Sequence, residues 1–236
     1  MMPRVCLPLP VRTASLLRRC LAVAALALSS HGAVSAELTV LTGADNATIP
    51  EELMVVRLTG EITTGAAAEL GRAWSSRDAG IARLLLDLDS VGGELAETER
   101  IIALVQDLRQ AARVDTLVRH GATCASACVA IFAQGERRSA GGASAWVFHG
   151  VCPAGSSLPS FAATCRGLDL LRAAGVSEDF LQMLLRGGFL TRPGALWLSG
   201  YELHHIHKAG LITRLLDSWQ PDHPGNGAPP SGISPQ

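Results

Sequence analysis

The amino-acid sequence predicts an α/β domain with a parallel sheet. Residues 81–88 (IARLLLDL) form a nearly continuous apolar run of strand length, which is typical of a strand buried on both faces of a parallel sheet. Apolar residues then recur at intervals of three and four and predict a helix over residues 94–110. Residues 114–118 (VDTLV) predict the next strand. Strand, helix and strand in this order favour a right-handed crossover between parallel strands.

The same kind of pattern predicts further elements on both sides of this unit. They are strands over residues 53–58 and 145–148, and helices over residues 63–74, 168–174, 178–185 and 201–208. Residues 89–93 (DSVGG) are expected to break the chain between the apolar strand and the long helix. The sequence has no internal repeat and about 200 residues outside its N-terminal segment, so we expect one domain over residues 37–218.

The first 36 residues have the pattern of a secretory signal peptide. A basic segment with four arginines and no acidic residue precedes a short apolar run at residues 21–28, and small residues follow at 34–36. The run is shorter than the roughly 20 residues that span a bilayer, although an uncleaved anchor is the alternative. We therefore expect a bacterial protein exported to the periplasm or secreted. Residues 219–236, rich in proline, glycine and serine, are expected to be disordered.

The charge of the predicted mature chain argues against two classes of partner. The whole chain has 20 basic and 21 acidic residues, and cleavage would remove four of the basic ones, which leaves 16 against 21 and a net charge of −5. No basic stripe or polybasic patch favours nucleic acid or an anionic membrane surface. We expect a peptide or protein substrate and no membrane contact after cleavage.

Four cysteines remain after the predicted cleavage: Cys124, Cys128, Cys152 and Cys165. An even number in an exported protein predicts disulfides, and four cysteines allow three pairings. The spacings favour Cys124–Cys128 and Cys152–Cys165, although the sequence alone does not fix the pairing. A zinc site is the disfavoured alternative. His204 and His207 are likewise expected to lie on a partly exposed helical face and not to bind metal.

Chemically useful groups are predicted at neighbouring strand ends. Gly93 follows the apolar strand, Ser126 lies between the strand at 114–118 and an apolar run, and His149 ends the strand at 145–148. If the strands are neighbours, the Ser126 hydroxyl can attack a carbonyl with His149 as base, while the N–H groups of Gly93 and Ala127 bind the oxyanion. The simpler alternatives are that Ser126 is a helix N-cap and His149 a hydrogen-bonded residue at a strand end.

These residues resemble the motifs of the Clp protease proteolytic subunit. The matching segments are Gly92-Gly93, Ala125-Ser126-Ala127, Val147-Phe148-His149, Ala133-Gln134-Gly135 with Arg137-Arg138, Leu198-Ser199 with Glu202, and Ala209-Gly210-Leu211-Ile212. The resemblance covers roughly residues 53–216 and is closer still to exported, cysteine-bearing relatives. It implies a single-domain Clp protease/crotonase-type fold (a ββα superhelix), a serine peptidase without cofactor, the four site roles given above, and assembly into homo-oligomers.

One departure from the family pattern bears on activity. The family has an aspartate shortly before the closing Leu-Ser pair, and the matching residue here is Ala195. Glu178, Asp179 or a backbone carbonyl are the substitutes for the missing acid. Loss of this acid lowers the rate of triad enzymes by about 10⁴-fold. The alternatives are therefore a Ser–His hydrolase and a catalytically inactive binding or scaffolding module of the cell envelope.

Overall fold

A computed structural model describes residues 36–153 and 156–216 of the chain. The predicted signal peptide, apart from its last residue, and the predicted tail at 219–236 lie outside the described residues. Within these ranges, no helix has the length and apolar character needed to cross a bilayer. The mixture of strands and helices confirms the predicted α/β class.

The described part of the chain contains nine strands, five α-helices and one π-helical turn. The strands are β1 (Glu37–Leu41), β2 (Leu53–Ile62), β3 (Arg83–Gly93), β4 (Arg113–Val118), β5 (Thr123–Ala125), β6 (Arg138–Gly141), β7 (Ala145–Phe148), β8 (Leu196–Ser199) and β9 (Arg214–Leu216). The helices are α1 (Ala66–Ser75), α2 (Leu95–Leu108), α3 (Ala127–Phe132), α4 (Phe161–Ala173) and α5 (Glu178–Arg186), and the π-turn is Glu202–Ile206.

The long strand β3 organises the sheet because it pairs along both of its edges. One edge pairs in parallel with β2 over the whole strand, from Arg83 to Gly93. The other edge pairs first with β4 and then, at Ser90, with the short strand β5. The sheet therefore divides into two branches, β4–β6–β9 and β5–β7–β8, which both start from β3. The second branch brings the ends of β3, β5 and β7 together.

The predicted break at residues 89–93 is wrong. β3 continues through these residues, and its pairing with β2 extends to Gly93, which is in register with Ile62. A register shift between Gly60 and Glu61 of β2 accommodates this extension. The two glycines are therefore the end of a paired strand, and their positions are fixed by main-chain hydrogen bonding to β2.

Alternation along β3 separates a core face from a polar face. Leu84, Leu86 and Leu88 are at most 2% exposed and belong to the main hydrophobic core, together with residues of α1, α2 and α3. On the opposite face, Asp87 is buried but accepts hydrogen bonds from Arg57 and Arg119, on either side of it in the sheet. The two arginines supply the charge pairing that a buried carboxylate requires.

Aromatic packing fixes the strand that carries His149. The Trp146 ring packs edge-to-face on Phe132 of α3, with 4.8 Å between centroids, and its indole N–H donates to Ser144 Oγ. Phe148 packs edge-to-face on Phe180 of α5 at 5.2 Å. Contacts with two helices, α3 and α5, therefore hold β7 in place, and they fix the start of the loop that contains His149.

Glu97 joins the first turns of α1 and α2. Its side chain is buried, and its carboxylate accepts the Ala67 N–H at 2.8 Å and a hydrogen bond from Arg100. Burial alone would raise the pKa of Glu97, but these hydrogen bonds outweigh it and hold the pKa below its usual range. The carboxylate also lies at the positive end of the α1 dipole.

Replacing Glu97 with glutamine is expected to destabilise the fold by about 1–2 kcal/mol at pH 7, because a neutral amide binds the Ala67 N–H and Arg100 less strongly. Because the pKa of Glu97 is lower in the folded state, the unfolded chain binds the proton at a higher pH than the folded protein does. The contribution is therefore complete above about pH 5 and lost as the pH falls through the folded-state pKa. Urea unfolding of both proteins at pH 7 and at lower pH measures the difference, which should shrink on acidification; a constant difference would contradict this account.

Candidate active site

Ser126 occupies a strained turn between β5 and α3. Its backbone has φ 55° and ψ −118°, in the left-handed half of conformational space that non-glycine residues rarely adopt. The turn is held from both sides, since the Ser126 N–H donates to Val147 O at 2.9 Å and the Ser126 carbonyl accepts the Val129 N–H at 3.1 Å. A side chain on a strained strand-to-helix turn is presented outward, as in known nucleophilic serines.

Gly92 and Gly93 leave room for this turn because they have no Cβ. A Cβ at Gly92, where φ is 91°, would lie 2.6 Å from Ala125 O and 2.8 Å from Ser126 Cβ. A Cβ at Gly93 would lie 2.1 Å from Ile62 O. The end of β3 therefore packs directly against the backbone of the serine turn on one side and against β2 on the other, which only glycine permits.

Two main-chain N–H groups belong to residues in the pocket wall beside Ser126. Ala127 is the first residue of α3, so its N–H has no partner within the helix. Gly93 lines the same pocket, and the Glu94 N–H that follows it donates to Ile62 O, so β2 holds this end of β3.

His149 follows β7, whose parallel partner is β5, so the histidine and the serine turn lie at the ends of neighbouring strands. His149 Nδ1 lies 2.8 Å from the carbonyl oxygen of Gly150. A carbonyl oxygen only accepts hydrogen bonds, so Nδ1 must carry the proton and donate it. In the neutral ring Nε2 is then unprotonated and has the lone pair that a general base requires.

The acid of a catalytic triad is missing from this arrangement. In the antiparallel register of β7 with β8, the last pair is Phe148 with Leu196, so His149 directly follows this pair on one strand and Ala195 directly precedes it on the other. Ala195 is exposed and brings no polar group. Glu178 is exposed and bound to Arg172 at 2.8 Å, which holds the pKa of its carboxyl below the usual range, and Asp179 is exposed. Of the three expected substitutes, a backbone carbonyl is the one that contacts His149.

The predicted site residues line one pocket. Gly93, Ser126, Ala127 and His149 contribute to the wall of a cavity with a volume of about 70 Å³. The rest of the wall is mainly aliphatic and comes from α3, α4 and α5. The structure thus brings the four residues together, although Ser126 follows the short strand β5 and not, as expected, the strand at 114–118.

One of the two favoured disulfides is present. Cys124 and Cys128 are bonded, with 5.3 Å between Cα atoms, and the bond links β5 to α3 across Ser126. The expected Cys152–Cys165 bond is absent: Cys152 is an exposed free thiol and Cys165 is a partly buried one. The bonded pair is close in sequence on two elements that the turn already brings together, whereas Cys152 lies in a loop and Cys165 on α4.

The histidines near the C-terminus have separate partners. His204 Nδ1 lies 3.3 Å from Ile212 O, and the His207 ring packs on Phe180. The segment forms a π-turn preceded by reciprocal hydrogen bonds between Ser199 and Glu202, as in a capping box. Across the described ranges, no group of three His, Cys, Asp or Glu side chains is arranged to hold a metal ion.

Sequence comparisons find no relatives. Neither a model of a known protein family nor a curated protein matches the chain. The resemblance to the Clp protease proteolytic subunit therefore remains an inference from short motifs, and the function must be argued from the site itself.

Proposed function

We propose that the chain is an exported serine hydrolase that works through an acyl-enzyme on Ser126. The observation that carries the proposal is the strained Ser126 turn, which shares a pocket with His149 and with the N–H groups of Gly93 and Ala127. A conformation that costs of order 1–3 kcal/mol persists where the surrounding structure enforces it, and such positions cluster at active sites. The branched sheet is compatible with the Clp protease/crotonase-type fold, which we propose for the domain.

In the proposed reaction, Ser126 Oγ attacks the substrate carbonyl while His149 Nε2 takes the hydroxyl proton. The Gly93 and Ala127 N–H groups donate to the resulting oxyanion, each contributing about 3–4 kcal/mol to transition-state stabilisation. Collapse of the tetrahedral intermediate breaks the bond to the leaving group, which receives the proton from His149. Water, activated by the same imidazole, then releases the acid and restores Ser126.

The Gly150 carbonyl replaces the triad acid only in part. It fixes the tautomer and the orientation of His149, which is one of the two roles of the aspartate in a triad. It is neutral, so it stabilises the imidazolium that forms during the reaction less than a carboxylate does. We therefore propose a Ser–His site with rates below those of full triads. The Cys124–Cys128 disulfide, a bond that persists in oxidising compartments, supports export.

A fluorophosphonate probe tests the nucleophile. We expect the purified protein to gain the mass of one phosphonyl group, and Ser126→Ala to gain none, because removal of the hydroxyl removes the attacking atom. Ser75→Ala is a control at a serine of α1, outside the pocket wall, whose hydroxyl donates to Gly71 O. Intact-mass spectrometry gives the stoichiometry; equal labelling of the Ser126→Ala protein would remove Ser126 from the mechanism.

The absence of an acid at Ala195 favours a second candidate, an inactive binding or scaffolding module. Ala195→Asp separates the two, because residues 195 and 149 are the immediate neighbours of the last paired residues, Leu196 and Phe148. If the site is active, a carboxylate there is expected to raise kcat/KM by about tenfold, a fraction of the 10⁴-fold effect of a native triad acid. Ester hydrolysis by the two proteins measures it. Undetectable turnover by both, at equal stability, would favour the binding module.

A further inference from the structure

The pocket beside Ser126 adjoins a second cavity. The second cavity has a volume of about 130 Å³ and lies against the start of α4 and the end of α5, with Phe161, Cys165 and Leu185 in its wall. Three residues line both cavities: Thr164, Leu168 and Leu190. The two spaces therefore meet at these residues, and we call the two cavities together the path.

The path has almost no polar partners to offer a ligand. Among the residues that the structure describes, none of those lining either cavity is charged, and His149 at the serine end is the one titratable ring. The Thr164 hydroxyl, at the junction, already accepts the Val151 N–H at 3.0 Å. A peptide main chain drawn along this path would carry N–H and carbonyl groups without partners, which is costly away from water. A hydrocarbon chain carries none.

The shape of the path also fits a chain. The first cavity follows α4 from Thr164 to Leu171, which is about 10 Å at the rise of an α-helix. The second cavity adds length beyond Thr164. The walls are formed by side chains that are mostly buried in the core, such as Leu168 and Leu184, so the path is set by packed helices.

We propose that the acyl part of the substrate is an unbranched hydrocarbon chain of medium or greater length, presented as a carboxylic ester. This rests on the proposed hydrolase function of Ser126. The bond between Ser126 Oγ and the acyl carbon forms as the ester C–O bond breaks, and the alcohol leaves with the proton held by His149. Water then releases the fatty acid and returns a proton to Ser126. The chain lies in the first cavity and extends past Thr164 into the second.

Chain-length kinetics with p-nitrophenyl esters from acetate to dodecanoate test the proposal. Each buried methylene is expected to raise kcat/KM about three- to fourfold until the path is full.

Gly167→Leu narrows the first cavity: a Cβ at Gly167 meets only Val151, at 3.7 Å, so α4 tolerates the change. This variant should lose the gain in kcat/KM with chain length. Gly71→Leu, on α1 away from the site, is the matched control and should keep it.

The outcomes separate this proposal from the hydrolase function. Acetate turnover that depends on Ser126 but does not rise with chain length overturns the acyl-chain proposal and leaves the hydrolase standing. Preference for peptides with a single apolar side chain, with no gain for long esters, also overturns it. If no ester is hydrolysed, the Ser126→Ala protein is titrated with a fluorescent fatty acid to test for the hydrocarbon site. Binding that Gly167→Leu weakens supports the site. Absence of binding overturns it.

Discussion

Replacing His149 with alanine is expected to lower kcat/KM for ester hydrolysis by about 10³-fold, within the range for loss of a general base. In the proposed reaction the imidazole takes the Ser126 proton, and its Nδ1 lies 2.8 Å from the Gly150 carbonyl oxygen. The fold should persist, because His149 is only partly buried and its assigned hydrogen bond is to the adjacent residue. Steady-state kinetics and thermal unfolding of the same preparations measure the two quantities.

His205→Ala is the matched control for this prediction. His205 is exposed and packs on Tyr201 and His204, on the π-turn segment. The same chemical change there should leave kcat/KM within about twofold, as is usual for surface substitutions. Equal activity of the His149→Ala protein and the parent would show that the proton is moved by another group.

Replacing Gly92 with alanine is expected to lower kcat/KM by about 100-fold, the size of effect that a displacement of about 1 Å produces. The added methyl would lie 2.6 Å from Ala125 O and 2.8 Å from Ser126 Cβ, so the serine turn or the end of β3 must move. The positive φ of Gly92 adds strain for any residue with a Cβ. Together these effects should also destabilise the fold by about 2–4 kcal/mol.

Gly80→Ala separates site displacement from the general effect of replacing glycine. Gly80 is exposed, and a Cβ there meets nothing within 4 Å. Its replacement should leave activity unchanged and stability unchanged or slightly higher. If the Gly92→Ala protein retains the activity of the Gly80→Ala protein, the close packing of β3 against the serine turn has no role in catalysis.

Long elements with a clear apolar pattern could be predicted from the sequence. The strand at 53–58 is the first part of β2 (Leu53–Ile62), and the helix at 94–110 is α2 (Leu95–Leu108), because both have enough buried side chains to set a period. The short strands β5 and β8 were missed. With three and four residues, they are defined by pairing to β7, which local sequence does not encode.

The start of α4 shows why other boundaries were missed. The helix begins at Phe161, seven residues before the predicted start, and its N-cap Ser160 accepts the Ala163 N–H. Phe161 is 77% exposed, so the first turns lack the buried apolar residues on which the prediction relied. The N-cap serine, Ser160, was the sequence feature that could have indicated this start.

The candidate site was predictable where side chains carry the chemistry. Ser126, His149 and the glycines follow strand ends, and parallel strands gather their carboxyl ends at one edge of a sheet. The hydrogen-bond partner of His149, a backbone carbonyl, was only one of several alternatives. Every residue has a carbonyl oxygen, so the sequence does not indicate which one accepts the hydrogen bond. The backbone strain at Ser126 could not be predicted either, because it depends on the contacts of the turn with Val147 and Gly92.

A crystal structure of the fluorophosphonate adduct tests the central claim most directly. We expect a bond from phosphorus to Ser126 Oγ, with the phosphonyl oxygen within about 3.1 Å of both the Gly93 and Ala127 nitrogen atoms, the distance range for oxyanion donors. His149 Nε2 should face Ser126 Oγ, with Nδ1 still bound to the Gly150 carbonyl. An adduct on another residue, or a phosphonyl oxygen directed away from both nitrogen atoms, would contradict the proposed hydrolase site.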